Sequence, residues 1–407
     1  MRHTEYTEEQ IRKITTKEKA SFLGFVVKAR GQRVLGADGK WRWDLCRGIG
    51  QHPFETDIDP SGYLMFTPTF AKCIVTLFEI FGHQYPHVLL TSSGSKALNF
   101  AIKLAREKTG IPAKEASVIT TKGTFGGKDL VAAALSGEKE TPLTKNVLTI
   151  PFYSTERPND ARYALEDILK SGTQPCCFIT ELFQAEGGFN AAPPSYFIPL
   201  LSMCRDKKIP IIFDEMQTGC CRVGEWTLAK RMNLDMYPDM TLIGKHIPNT
   251  VLLFREGFNA DRASISETNP GGDESRLKKT LKILIRFRDG GYIGPHGKVC
   301  MLEKKLETAF QNLKAEFPVI ESFTILGSMA SIRLKGWHNK PAAQKFVDIL
   351  LDYSYATSCG RDKQFGVRFY FSADTTDRQL HSMFTCIRET IQRYMKGSTP
   401  CEYSPTP

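Results

Sequence analysis

The sequence predicts an α/β protein. A large domain on a mainly parallel central sheet, residues 61–290, is joined by a smaller α+β domain from residues 291–407 and by an N-terminal segment, residues 1–60. Three observations carry this expectation. Between about Thr67 and Arg286, short uninterrupted apolar runs alternate with helical patterns. Strands covered by helices on both faces read this way, because neither face meets water. The alternation itself suits right-handed crossovers. After Pro295 the pattern changes to helices flanking short strands.

Taken in order, residues 1–20 read as an amphipathic helix or an arm, and Phe25 to Cys46 as short strands with a turn at Ala37-Asp38-Gly39-Lys40. The buried strands of the large domain include HVLL (87–90), SVIT (117–120), CCFIT (176–180), PIIF (210–213) and MTLI (240–243). The smaller domain has helices around 297–315 and 341–355 and strands near 319–334 and 366–371. A last helix begins at about Thr376, with Leu380, Phe384, Ile387 and Ile391 on one face.

Composition narrows the classes of function. The 407 residues, 41% hydrophobic and 24% charged, suffice for one large core and a smaller one. No apolar run approaches the ~18–20 residues that span a bilayer. The N-terminus, MRHTEYTEEQ, is too polar for a secretory signal, so a cytoplasmic protein is expected. Eleven cysteines with no CxxC point to reduced, mostly buried thiols and to no metal site. The net charge of +10 is spread along the chain and gives no reason to expect nucleic acid as a partner.

Four segments carry chemistry. Ile209-Pro210-Ile211-Ile212-Phe213-Asp214-Glu215 is a buried strand ending in two acids, at the end of a sheet where ligands bind. An acid there either caps the next element or meets a cation. A magnesium-binding strand of a P-loop protein is a further reading, but GxxxxGK[ST] is missing from the sequence. Pro238 to Gly244 is another short strand, and it delivers Lys245. Thr91-Ser92-Ser93-Gly94-Ser95-Lys96 precedes a helix, offering either a plain cap or an anion site of free N–H groups and hydroxyls. Ser93 and Lys96 also have the spacing of a serine hydrolase nucleophile, but Lys108-Thr109-Gly110 falls at the end of the same helix rather than on a distant strand. Gly123-Thr124-Phe125-Gly126-Gly127-Lys128 exposes one Phe, as suits a flat ligand.

Together these segments resemble the class III aminotransferases of fold type I. The resemblance is most specific at PIIFDEMQTGCCRVG and PDMTLIGK, extends to ELFQAEGG (181–188), SSGSKA and the Phe125 loop, and spans nearly the whole chain. Lysine 6-aminotransferases look most similar within the family. The resemblance implies pyridoxal 5′-phosphate (PLP) as cofactor, in Schiff-base linkage to Lys245. It implies Asp214 against the pyridine nitrogen, Gln217 near the ring's 3-oxygen, Gly94 and Ser95 around the phosphate, Phe125 stacked on the ring, and Gly126 beside it among the cofactor-binding residues. It also implies a homodimer in which Thr268 or Asn269 reaches the phosphate of the neighbouring subunit. Arg368 matches the family arginine that grips a substrate carboxylate, and Glu186 the acid that pairs with it when no carboxylate is there.

The departures fall on the substrate side. Lys128 stands where the family commonly has Arg, offering a point charge in place of a fork. Leu182 and Phe369-Tyr370-Phe371 replace proline-containing patterns, and His246-Ile247-Pro248 follows Lys245 without glycines. The expected activity is transfer of an amino group from a terminal amine of an amino acid to a 2-oxo acid such as 2-oxoglutarate. The alternatives are another PLP reaction on the same fold (decarboxylation, aminomutation or carbon–carbon bond formation) and a non-catalytic binding protein.

Overall fold

The computed structural model describes residues 8–14, 26–30, 33–36, 38–43, 67–137, 146–258, 273–351, 357–361 and 364–397. After a first helix, Glu8–Ile14, the strands β1 (Val26–Arg30), β2 (Arg33–Gly36) and β3 (Trp41–Trp43) form a small antiparallel sheet. The expected turn closes β2 onto β3, where Gly36 N donates to Lys40 O and Gly39 takes a φ of +77°.

Seven strands make the central sheet: β4 (His87–Thr91), β5 (Ser117–Thr121), β6 (Val147–Ile150), β7 (Pro175–Thr180), β10 (Ile211–Glu215), β11 (Met240–Ile243) and β12 (Thr250–Phe254). A short pair, β8 (Phe183–Gln184) and β9 (Asn190–Ala191), stands apart. The order is β4-β12-β11-β10-β7-β5-β6. β12 runs antiparallel to both neighbours and the other six strands share one direction. The reason is the connection before it. Residues 244–249 are too few for a helical crossover, so the chain turns straight back beside β11. β4, β5, β7, β10, β11 and β12 are buried at every position, as unbroken apolar runs require.

Helices cover the sheet. Gly94–Thr109 packs Ala97, Ala101 and Leu104 onto Leu89, Ile179 and Leu242. Pro194–Asp206 packs Phe197, Leu200 and Leu201 with Phe178 and Phe213. Pro68–Phe81 and Glu274–Asp289 share a cluster of Phe70, Ile74, Leu277 and Leu284. The six co-directional strands therefore present their carboxyl ends along one edge.

The C-terminal sheet is antiparallel, with β13 (Ile320–Leu326), β14 (Met329–Leu334), β15 (Thr357–Arg361) and β16 (Gln364–Tyr370) in the order β13-β14-β16-β15. Helices Lys298–Glu316, Lys340–Leu350 and Asp377–Met395 pack against it around Phe310, Phe346 and Phe384. The last helix buries the four residues expected of it, and Thr376 with Gln379 forms a capping box.

Candidate active site

The strand β10 separates its two terminal acids. Successive side chains on a strand point to opposite faces. Glu215 turns into the protein and accepts hydrogen bonds from Leu228 N (2.5 Å), Ala229 N (2.9 Å) and Thr218 Oγ1 (3.0 Å). It caps the short helix Leu228–Arg231, and burial pushes its pKa up to about 7. Asp214 turns to the cavity. Its Oδ1 accepts from Met216 N at 3.0 Å, and burial raises its pKa to about 6 against the opposing pull of that bond and of Lys245.

Lys245 follows β11, the neighbour of β10, and takes a φ of +53°, an uncommon conformation for a side-chain-bearing residue. Its side chain opens into the cavity. Desolvation in that concavity draws its ammonium below the ordinary lysine range, opposed first by the charge of Asp214. Gly244 makes room beside it, since a Cβ there would lie 2.4 Å from Met216 Cε.

On the other wall, Ser93 caps the helix Gly94–Thr109 by accepting from Lys96 N. Gly94 and Ser95 form the first turn, where backbone N–H groups have no helical partner. The Phe125 loop closes over them. Phe125 N donates to Glu181 Oε2 (2.9 Å) and Gly126 N to Ser136 Oγ (3.0 Å). Gly127 has a φ of +132°, and a Cβ there would lie 2.1 Å from Ser95 Oγ, so the loop approaches the helix as only glycine allows.

A cavity of about 310 Å³ lies between these walls. Asp214, Gln217 and Lys245 line one side, and Gly94, Ser95, Phe125, Gly126 and Lys128 the other. Glu186 is at its rim and forms an ion pair with Arg368 of β16. Thr268 and Asn269 lie outside the described residues. The cavity also holds Glu181 and Met216, neither singled out from the sequence. Glu181 carried a signal, being an acid just beyond the buried run of β7, while Met216 carried none. Tyr370 was seen as a departure and not as a site residue, and its hydroxyl donates to Gln217 Oε1 at 3.3 Å. Among the described residues, no group of three or more His, Cys, Asp or Glu is arranged to hold a metal, and no helix is long and apolar enough to cross a membrane.

Residues 60–280, more than half of the chain, match the class-III aminotransferases. The chain belongs to that family. It is a PLP-dependent aminotransferase. The 4-aminobutyrate aminotransferase of Escherichia coli (strain K12) is 26% identical over 364 residues, covering 80% of this chain and 83% of that one. The 5-aminovalerate aminotransferase of Pseudomonas putida is 27% identical over 357 residues, covering 78% and 81%. The fold of this aminotransferase is that of the lysine aminotransferase from M. tuberculosis, with a TM-score of 0.72 at 18% identity over 89% of this chain and 93% of that one.

Proposed function

We propose that the enzyme transfers an amino group from the terminal amine of an amino acid to a 2-oxo acid such as 2-oxoglutarate, with PLP held covalently by Lys245. The observation that carries this reading is the placing of Lys245 and Asp214 at the ends of adjacent strands in one cavity. The donor set fits the cofactor. Asp214 is buried, accepts one hydrogen bond, and has a second carboxylate oxygen available for a protonated pyridine nitrogen. Gly94 and Ser95 offer N–H groups and a hydroxyl for a phosphate, and Gly126 lines the same wall with its own N–H held by Ser136 Oγ. Phe125 offers a flat face to the ring, and Gln217 an amide to its 3-oxygen.

Bound PLP supplies an electron sink and a carbonyl that carries the amino group between half-reactions. Asp214 keeps the proton on the ring nitrogen. Lys245, whose ammonium is disfavoured by burial, would supply the amine that captures the carbonyl and then takes the proton from the substrate carbon. Arg368 binds a carboxylate when one is presented, and Glu186 neutralises it when none is. Lys128 adds a cation on the far wall for a second carboxylate. The names of the relatives support terminal amines as donors. We further propose a cytoplasmic homodimer in which Thr268 or Asn269 reaches the phosphate of the neighbouring subunit.

The test is a donor screen. Holoenzyme is incubated with lysine, ornithine, 4-aminobutyrate and 5-aminovalerate, and with alanine as a donor that lacks a terminal amine, each against 2-oxoglutarate. Conversion of the cofactor to pyridoxamine phosphate and release of glutamate are expected. Turnover confined to donors without a terminal amine overturns the reading.

A further inference from the structure

Tyr370 stands two residues beyond Arg368 on β16, so strand alternation turns both side chains to one face. Val367 and Phe369 turn the other way, into the C-terminal core. On its own face Tyr370 meets three groups. The guanidinium of Arg222 lies over its ring at 5.4 Å, and that of Arg368 at 6.0 Å. Its hydroxyl donates to Gln217 Oε1, which ties the C-terminal sheet to the wall of the cavity.

Arg222 explains why the ring is fixed. It is 8% exposed and its Nε has no hydrogen-bond partner. Among the described residues it forms no ion pair, and Tyr370 heads the groups that favour its charge. A buried guanidinium without a carboxylate is costly. The electron-rich face of Tyr370 offsets that cost, and the same attraction holds the ring in place. Two cations against the ring also draw charge from the phenol, which favours its hydroxyl as a donor. An amide has one accepting and one donating end. With Oε1 engaged by Tyr370, Nε2 is the end of Gln217 left to donate to a bound ring.

We propose that Tyr370 is a positioning residue of the transamination site: set between Arg222 and Arg368, it turns the donor end of Gln217 toward the cofactor ring and supports the Arg368 guanidinium where a substrate carboxylate would meet it. The proposal rests on the reading of Gln217 and Arg368 given above. The family's proline-containing run is replaced at this point by Phe369-Tyr370-Phe371, so the device belongs to this chain.

Two variants of the holoenzyme test it. Tyr370→Phe keeps the ring and removes the hydroxyl, and Tyr370→Leu removes both. The first readout is the visible absorbance of the bound cofactor against pH, before any substrate is added. With the Gln217 donor no longer held, the ring's 3-oxygen becomes more basic. The pH midpoint of the absorbance change then rises by about half to one unit in both variants, the weight of one hydrogen bond. In a Gln217→Leu background, Tyr370→Phe moves the midpoint no further. The second readout is KM for 2-oxoglutarate, which Tyr370→Phe leaves within about twofold and Tyr370→Leu raises about fivefold, as loss of a cation–ring contact predicts. A wild-type midpoint in Tyr370→Phe overturns the orienting role, and an unchanged KM in Tyr370→Leu overturns the arginine contact. Failure of the wild-type enzyme to convert any donor refutes the parent reading instead, and the absorbance titration still decides the orienting role.

Discussion

Replacing Asp214 by Asn keeps the shape of the side chain and its bond from Met216 N, 3.0 Å long, and removes one charge. That carboxylate is 9% exposed, and burial has already raised its pKa to about 6. Its ionised form persists beside a cation, and the cation it faces loses its partner in the variant. Leaving a buried cation unpaired costs about 3–5 kcal/mol. With each ~1.4 kcal/mol worth tenfold in rate, the amine half-reaction should slow by about 10²- to 4 × 10³-fold. Lys245 responds in the opposite sense. Its ammonium is disfavoured by burial and supported first by Asp214, so asparagine leaves the amine more neutral and still able to capture the cofactor. Borohydride reduction followed by mass spectrometry should find full labelling at Lys245, while stopped-flow absorbance shows the slow appearance of pyridoxamine phosphate. Slowing of less than about tenfold with capture intact would mean that the charge of Asp214 is not what sustains turnover.

Three further outcomes follow from the same geometry. Glu186→Gln frees Arg368 from its ion pair, so KM for 2-oxoglutarate should fall by about fivefold while KM for the amine donor rises; steady-state kinetics with each substrate varied in turn checks this, and parallel shifts count against a switch. Gly127→Ala forces a Cβ to within 2.1 Å of Ser95 Oγ at a φ of +132°, and should raise the Kd for PLP by about tenfold or more in a fluorescence titration. Glu215, raised by burial from 4.5 to about 7, binds its proton more tightly when folded; its stabilising contribution is full below about pH 4.5 and is lost as pH rises through 7, by at most about 3 kcal/mol. The thermal midpoint of the apoprotein should therefore fall between about pH 5 and pH 8, and Glu215→Gln should flatten that slope.

The parts of the site that could be read from the sequence are those attached to buried strands. Asp214 and Lys245 end uninterrupted apolar runs, and a polar residue at such an end has few places to go. The run of letters did not say which of Asp214 and Glu215 faces the cavity. Both acids follow the same strand, and the pleat decides that one caps a helix and the other meets a ligand. Nor did it mark β12 as antiparallel, because a strand buried on both faces looks the same in either direction. Glu186 and Arg368 lie 182 positions apart and came into view through family resemblance, not through any local pattern. Tyr370 was obscured by its neighbours. Within Phe369-Tyr370-Phe371 it resembles core, and it takes the alternation of β16 to turn it away from the buried Phe371 and toward Gln217.

The two walls of the cavity differ in how they are held. Asp214 stands on β10 and Lys245 two residues past the end of β11, so both are carried by the central sheet. Arg368 and Tyr370 stand on β16 and touch the first wall through polar contacts that include Arg368 with Glu186 and Tyr370 with Gln217. These contacts answer to different events. In the proposed reading a substrate carboxylate would compete directly for Arg368, so the first would open and close with each half-reaction. The second joins neutral groups and is anchored from behind by Arg222, so a carboxylate has nothing to gain by breaking it. One enzyme can then accept an amine donor in one half-reaction and a 2-oxo acid in the next by moving a single guanidinium, while the groups that hold the cofactor's ring stay where they are.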